Sequence, residues 1–403
     1  MTDYLEAYRL RARAWLAQYA GEFGAEARRG LGEAEDLALG RRWQQIKFDA
    51  GYAGIAWKKE YGGGGLSELE AVIFSEEETP LGFPTQYFGV SLGQPVPIMN
   101  KYAPEHLRRR FSVAALKGEE IWCQLFSEPV GGSDLGGIRL RAERAGNNWV
   151  LNGQKLWTSG AHYADYGIIL TRSDPHAFKH RGLTCFWISM KSPGIAVRPV
   201  RLASGGHDVN EVFFDDVIVP DEQCLGGAGE GFAVAMNTLF IERYTAADEA
   251  GFGPRLEMFI ARAREVTVNG RPAIEDARTR RDIADAFRLQ KALAAIRKRT
   301  FMSAQIGLAP GPEGAVYKLA SVRARQRLSA AAMNLLGPAG TTIDPKAYVR
   351  EDWALSWLTA PTLRIAGGAD EMLLNTIAEK ILNLPQDYRP DKTVPFDEIE
   401  PVR

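Results

Sequence analysis

The hydrophobic period of this chain changes twice along its length, and that alternation restricts the fold more than any single residue does. From Thr2 to about Lys117 apolar residues recur near helical spacing, as at Leu5, Leu10, Trp15 and Leu16. Ser67-Glu68-Leu69-Glu70 has the form of a capping box directly before Ala71-Val72-Ile73-Phe74, and the glycine run Gly62 to Gly65 reads as a connector between helices. Near Glu119 the period drops to two. Ile138 to Glu143 alternates, Ala145 to Asn148 reads as a turn, and Trp149-Val150-Leu151 leads into Asn152-Gly153, the strongest short hairpin signal. Further strands are expected over Tyr166 to Thr171, Leu183 to Met190, Ile195 to Val200 and Glu211 to Val219. From Gly231 to Leu384 the helical period returns, with breaks at Asn269-Gly270-Arg271-Pro272, Pro310-Gly311-Pro312 and Gly337-Pro338-Ala339-Gly340; the last dozen residues read as a loosely held tail. The expected class is α+β: an N-terminal helical domain (1-118), a middle antiparallel β-sandwich or barrel (119-228) and a C-terminal helical bundle (229-403).

Composition serves mainly to exclude. The 49 basic and 50 acidic side chains leave a net charge of -1, which gives no basic surface for nucleic acid. The longest apolar runs fall far short of the ~18 residues of a membrane helix, and the first residues lack the basic and apolar regions of a signal peptide. Cys123, Cys185 and Cys224 have no metal-ligand spacing, so they are expected to be buried fillers in a protein of the reducing cytoplasm.

Two motifs carry chemistry. Trp122 to Leu135 contains the Gly-rich stretch Ser127-Glu128-Pro129-Val130-Gly131-Gly132-Ser133-Asp134, and Asn152 to Gly160 ends in Trp157-Thr158-Ser159-Gly160. Backbone donors, small hydroxyls and one flat aromatic surface are what pinning an isoalloxazine ring and polarising it requires. Taken singly, the first motif is also an ordinary turn and Trp157 an ordinary core residue. Together, in this order and flanked by helices, they resemble the acyl-CoA dehydrogenase family, and the likeness extends over essentially the whole chain. The resemblance implies FAD as cofactor. It places Leu125, Phe126 and Ser127 along the ring, Gly132 and Ser133 near the pyrophosphate with Ser133 also at the substrate entrance, Trp157 over one ring face, and Thr158 and Ser159 toward N5. It further implies contributions from Arg264 and from Asn334, Gly337 and Gly340 in Asn334-Leu335-Leu336-Gly337-Pro338-Ala339-Gly340, where Asn and Pro replace the Gln and the second Gly of the family pattern.

Removing a proton beside a thioester carbonyl requires a base, usually a carboxylate whose pKa an apolar pocket raises. The family's common C-terminal glutamate position holds Gly367 here. A minority arrangement has the glutamate directly before an arginine on an earlier helix, which corresponds to Glu242-Arg243, with Arg243 orienting the base. Phe232, Ala235, Leu239, Glu242 and Ala246 fall at helical spacing, so this carboxylate interrupts an apolar seam; a structural ion pair is the plainer reading of the same pattern. Asp370 and Glu371 are the rival carboxylates. His162 and His180 have no metal partners at useful sequence spacing.

The resemblance therefore implies dehydrogenation of an acyl-CoA, of the kind carried out by members that degrade bulky or ring-containing acyl groups. An electron-transferring flavoprotein would take the electrons, and the assembly would be a homo- or heterotetramer with a related subunit. A non-catalytic partner subunit of such a heteromer, and a flavin oxidase or monooxygenase on the same fold, are the alternatives.

Overall fold

The computed structural model describes the backbone of residues 2–245, 255–305, 311–343 and 352–399, and their side chains except at 2, 240–245, 301, 304, 305 and 390. The chain forms two compact units. One comprises Met1–Leu202, Gly206–Glu242 and Tyr388–Arg403; the other comprises Ala203–Gly205 and Arg243–Asp387.

The first unit opens with helices α1 (Thr2–Ala17), α2 (Glu33–Asp49), α3 (Glu68–Glu78), α4 (Pro95–Tyr102) and α5 (Glu105–Leu116). The face of α1 that is buried carries Tyr8, Ala12 and Leu16, at spacings of four, against Trp43, Ile73, Phe74 and Phe83. Leu10, counted by sequence among the apolar row, lies off that face and is exposed. At α3 the capping box forms as expected: Ser67 Oγ accepts from Leu69 N, and Glu70 reaches back to Ser67 N.

An eight-stranded sheet follows: β1 (Trp122–Leu125), β2 (Arg141–Ala145), β3 (Asn148–Ser159), β4 (Tyr166–Arg172), β5 (Leu183–Ser189), β6 (Ile195–Val200), β7 (Val209–Pro220) and β8 (Cys224–Leu225). Its order is β6-β7-β3-β2-β4-β5-β8, with β1 added on β4. The pairing is mixed. β1 runs parallel to β4, and β2 touches β4 in parallel through Arg141 and Arg172; the other pairs are antiparallel. The central strands are buried on both faces, with alternate residues serving two cores. Ile168, Leu170, Leu183 and Cys185 pack with Val96, Met99 and Phe111 of α4 and α5, while Ile169, Phe186 and Ile188 pack with Trp149, Val212 and Val217. Helix α6 (Gly231–Thr245) adds Val234 and Ala235 to the first of these cores.

The hairpin expected at Asn152-Gly153 does not form. The chain turns one step earlier, at Gly146-Asn147 between paired Ala145 and Asn148, and β3 then runs straight through Asn152-Gly153. That dipeptide sits at an irregularity of the β3–β7 ladder, where Asn152 exchanges two bonds with Asp216, Nδ2 donating to Oδ1 and Oδ1 accepting from the Asp216 N–H, both at 2.9 Å. Gly153 is required there because its φ is 143° and a Cβ would come within 3.0 Å of the Leu140 backbone.

Through Ile399, the last described residue, the C-terminal tail is held rather than loose. Phe396 N and Asp397 N donate to Ala177 O and Pro175 O, both at 3.0 Å, Lys179 bridges to Asp391 at 2.6 Å, and the Arg172 guanidinium stacks 3.8 Å from the Phe396 ring centre.

The second unit contains α7 (Leu256–Glu265), α8 (Ala277–Gln305), α9 (Glu313–Leu336), α10 (Trp353–Thr359) and α11 (Asp370–Thr376). Asn269-Gly270 does make a tight turn, between the two-residue strands Thr267–Val268 and Arg271–Pro272, with both residues in the left-handed region. Pro310 lies outside the described residues, and Pro312 caps α9.

Candidate active site

Strand β1 delivers Leu125, Phe126 and Ser127 to one end of the sheet, and β3 delivers Trp157 beside them: Leu156 N donates to Ser127 O at 2.9 Å. Between them lies an ion pair that the sequence reading missed although both residues lie inside its motifs. Lys155 Nζ, fully buried, donates to Glu128 Oε1 at 2.8 Å and to Phe126 O at 3.0 Å. Glu128 also accepts from Arg139 N at 2.6 Å and Leu140 N at 2.9 Å. Burial pushes the Lys155 ammonium below its ordinary pKa, and Glu128 opposes that shift. Glu128 and Gly131 close a tight turn over Pro129-Val130 by mutual backbone bonds of 2.8 and 3.1 Å. The signal was available: a Glu and a Lys on interior-facing positions of two adjacent motifs.

The conformation of Trp157 is the outlier of this region. From Lys155 to Thr158 the ladder with β7 advances three residues on β3 against two on its partner, Val212 to Asn210, so β3 bulges at Leu156-Trp157. Trp157 takes a φ of 62°, which costs a non-glycine residue about 1–2 kcal/mol. The bulge leaves its indole 55% exposed while turning Thr158 inward, where its buried Oγ1 has no hydrogen-bond partner. A strained backbone that presents an aromatic face to solvent is the kind of feature that persists for a ligand. Ser159, Gly132 and Ser133 are exposed, Ser127 is half-buried, and a Cβ on Gly132 would meet no protein atom within 4 Å. These residues fit a flat, polar-edged cofactor: an open cradle of backbone, an exposed ring surface and an unpartnered hydroxyl behind it.

The remaining sequence candidates are distributed differently. Helix α6 buries Gly231, Val234, Ala235 and Thr238; its backbone continues through Glu242 and Arg243, whose side chains lie outside the described residues, as does Ala246. Arg264, Asn334, Gly337 and Gly340 belong to the second unit. Arg264 is exposed on the last turn of α7, and Asn334 is exposed on the last turn of α9. Gly337 ends α9 at a φ of 56°, and Gly340 is buried where a Cβ would come within 2.9 Å of Leu336.

In the same unit the segment carrying Gly367 is fixed by Lys318, whose buried Nζ donates to Leu363 O, Ala366 O and Gly368 O at 2.7–2.8 Å. Gly367 itself has a φ of 67° and no side chain to offer. Asp370 is buried against Arg364 at 2.5 Å and Arg323 at 3.3 Å. Burial raises its carboxyl, but the two guanidiniums outweigh burial and hold it below the ordinary value. Glu371 is exposed. Cys123 and Cys185 are buried and Cys224 half-buried, and burial pushes the Cys123 thiol up to about 12 and the Cys224 thiol up to about 11, so neither acts as a nucleophile. No described helix is long and apolar enough to cross a membrane.

A helical segment, a mixed β domain whose strand ends present a flavin-type cradle, and a second helical unit define a flavoenzyme of the three-domain kind. Family models for the acyl-CoA dehydrogenase N-terminal domain, middle domain and C-terminal domain match residues 2–119, 123–217 and 229–382. Acyl-CoA dehydrogenase IpdE1 of Mycobacterium tuberculosis is 33% identical over 394 residues, covering 96% of this chain and 99% of that one. Acyl-CoA dehydrogenase FadE34 of the same organism is 35% identical over 354 residues, covering 88% of this chain but 48% of that longer protein. The ChsE4-ChsE5 complex from Mycobacterium tuberculosis shares the fold at a TM-score of 0.78 and 24% identity, over 96% of this chain and 99% of that one. The chain belongs to the acyl-CoA dehydrogenase family; it is an oxidoreductase acting on acyl-CoA, and its cofactor is FAD.

Proposed function

We propose that this protein dehydrogenates an acyl-CoA thioester between its α and β carbons, with Glu242 as the base. The observation that carries the reading is Trp157, held at positive φ on a bulge beside Ser127 with its ring exposed. Bound FAD supplies the hydride acceptor. Ser127, Gly132, Ser133, Trp157, Thr158 and Ser159, with the backbone of Leu125 and Phe126, hold and polarise it, and Ser133 also borders the substrate entrance; the family resemblance implies that Arg264, Asn334, Gly337 and Gly340 contribute to an FAD site, partly across a dimer interface. Glu242 takes the α proton, and Arg243 orients it. Three facts support that choice: Gly367 has no side chain, Asp370 is engaged by two arginines, and in the sequence Glu242 falls four residues beyond the buried Thr238 on the same helix. An apolar row raises a carboxylate toward the value that proton abstraction requires. In this reading residues 119-228 bind the flavin and 229-403 carry the base and the oligomer interface. The substrate is a bulky or ring-containing acyl-CoA, the kind degraded by the bacterial members that the chain resembles. An electron-transferring flavoprotein accepts the electrons, and the assembly is a homo- or heterotetramer.

A non-catalytic partner subunit is the second reading, favoured by Pro338, which has no N–H to offer where the family pattern has glycine. One experiment separates the two. With FAD-loaded protein under anaerobic conditions, acyl-CoA should bleach the flavin. Glu242→Gln should slow bleaching by ~10²–10⁴ while leaving FAD content unchanged, and Glu371→Gln should bleach nearly as fast as the parent. The reverse pattern moves the base to the C-terminal unit, and no bleaching of the parent by any acyl-CoA tried supports the partner-subunit reading.

A further inference from the structure

Sequence spacing assigned His162 no metal partner, yet the fold brings two to it. Glu33 opens α2, His162 lies in the turn after β3, and His207 lies between β6 and β7. His162 Nε2 is 2.9 Å from Glu33 Oε1, and His207 Nε2 is 3.6 Å from Glu33 Oε2. One ligand atom from each of the three residues lies within 4.8 Å of the other two. Tetrahedral bonds of ~2.0–2.1 Å set donors about 3.4 Å apart, so a cation fits after side-chain shifts on the order of an ångström. The side chains are 39%, 19% and 55% exposed respectively, which leaves the site open to an incoming ion and to a completing water. Two imidazoles and one carboxylate suit Zn²⁺ and its transition-metal neighbours, not the all-oxygen preference of Ca²⁺ or Mg²⁺.

Behind His162 stands a second observation. Asn210 is fully buried; its Nδ2 donates to Thr158 O at 3.0 Å and lies 3.0 Å from His162 Nδ1, and its Oδ1 is buried with no partner. Because a carbonyl only accepts, the atom facing Nδ1 is the amide nitrogen, so Nδ1 accepts and the imidazole proton sits on Nε2, donating to Glu33. A metal ion at Nε2 moves that proton to Nδ1, where it needs an acceptor. Turning the Asn210 carboxamide over brings Oδ1 to that place. A ligand histidine backed by such an acceptor is the common arrangement in protein metal sites. The turn gives up the bond to Thr158 O, a cost that offsets part of the binding.

We propose that Glu33, His162 and His207 bind a divalent transition-metal ion, best matched by Zn²⁺, with Asn210 positioning His162. The ion would tie the start of α2 to the turn that follows the Trp157-Thr158-Ser159 segment.

The test uses untagged, FAD-loaded protein stripped with chelator, dialysed and titrated calorimetrically with ZnCl₂. One site is expected, with a Kd on the order of micromolar, together with a rise in thermal midpoint on zinc addition and no response to MgCl₂. Glu33→Gln and His207→Gln should each weaken zinc binding at least tenfold and abolish the thermal shift. His207 is mostly exposed, so unchanged FAD content and midpoint without zinc serve as its control for folding. Failure of the parent to bind zinc more tightly than about 100 µM, equal affinity for Mg²⁺, or binding retained within threefold in both variants each overturns the proposal; the last places zinc at another of the chain's five histidines or at its cysteines.

Discussion

Lys155→Met tests whether the buried pair beneath the two motifs holds the flavin cradle together. The substitution keeps the chain length and apolar volume but removes the ammonium that bonds Glu128 Oε1 and Phe126 O. Glu128 keeps its two backbone donors, from Arg139 and Leu140, yet its charge then stands nearly fully buried without a hydrogen-bonded counter-ion, with Arg172 acting on it only through space. Breaking such a pair on one side costs about 3–5 kcal/mol, most of it the desolvated charge left behind. The strain falls on Phe126 to Glu128, directly beside Ser127 and, through the Leu156–Ser127 bond, on the bulge at Trp157. If about a third of the cost is expressed as disorder of that loop, FAD binding weakens roughly tenfold, since ~1.4 kcal/mol is one decade. Urea unfolding followed by the fluorescence of released FAD reads both quantities. Glu128→Gln added to Lys155→Met removes the stranded charge and should recover at least ~1 kcal/mol, a coupling that independent sites would not show. A single Lys155→Met variant within ~1 kcal/mol of the parent and within threefold in FAD affinity would refute the reasoning.

Trp157→Gly removes positive-φ strain and an exposed ring, so the apoprotein should be as stable as the parent or more so, while FAD retention falls because a stacked aromatic contributes ~0.5–1.5 kcal/mol; loss of both or neither in chemical unfolding and flavin release would contradict this. Gly153→Ala should destabilise by more than ~1 kcal/mol in urea titration, because the φ of 143° and the 3.0 Å approach to Leu140 both exclude a Cβ. Asp370 has a folded pKa below its ordinary value of 3.8, so the stability it contributes is complete above about pH 4 and is lost as pH falls through the folded value. Thermal midpoints measured from pH 5 to about pH 2 should therefore fall more steeply for the parent than for Asp370→Asn; parallel curves would show that the arginine pairing does not set this pH dependence.

Local and repetitive features of this protein are legible from its sequence. The change of period separates helices from strands, the Ser67 box marks the start of α3 and the turn before Asn148 marks the first hairpin, because each depends on neighbours within a few residues. The pair of motifs is legible for the same reason: a Gly-rich loop and a Trp-Thr-Ser segment state their chemistry locally. Asn152-Gly153 shows the limit. Its turn propensity is real, yet the long pairing of β3 with β7 overrides it, and the glycine serves a bulge instead. Leu10 and the C-terminal tail show the same limit, since only a neighbour's position decides which side of α1 is covered, or whether Phe396 finds Arg172.

Sequence alone set out the small hydroxyls, the glycine-rich backbone and the aromatic of the two motifs, and put a glycine at position 367. Tertiary structure alone decided that Lys155 closes on Glu128, that Trp157 stands out from a bulge, and that Glu33, His162 and His207 converge. Spacing along a chain encodes contacts within one element, whereas Lys155 and Glu128, 27 residues apart, and His162 and Glu33, 129 apart, meet only where burying two apolar cores forces their strands and loops together.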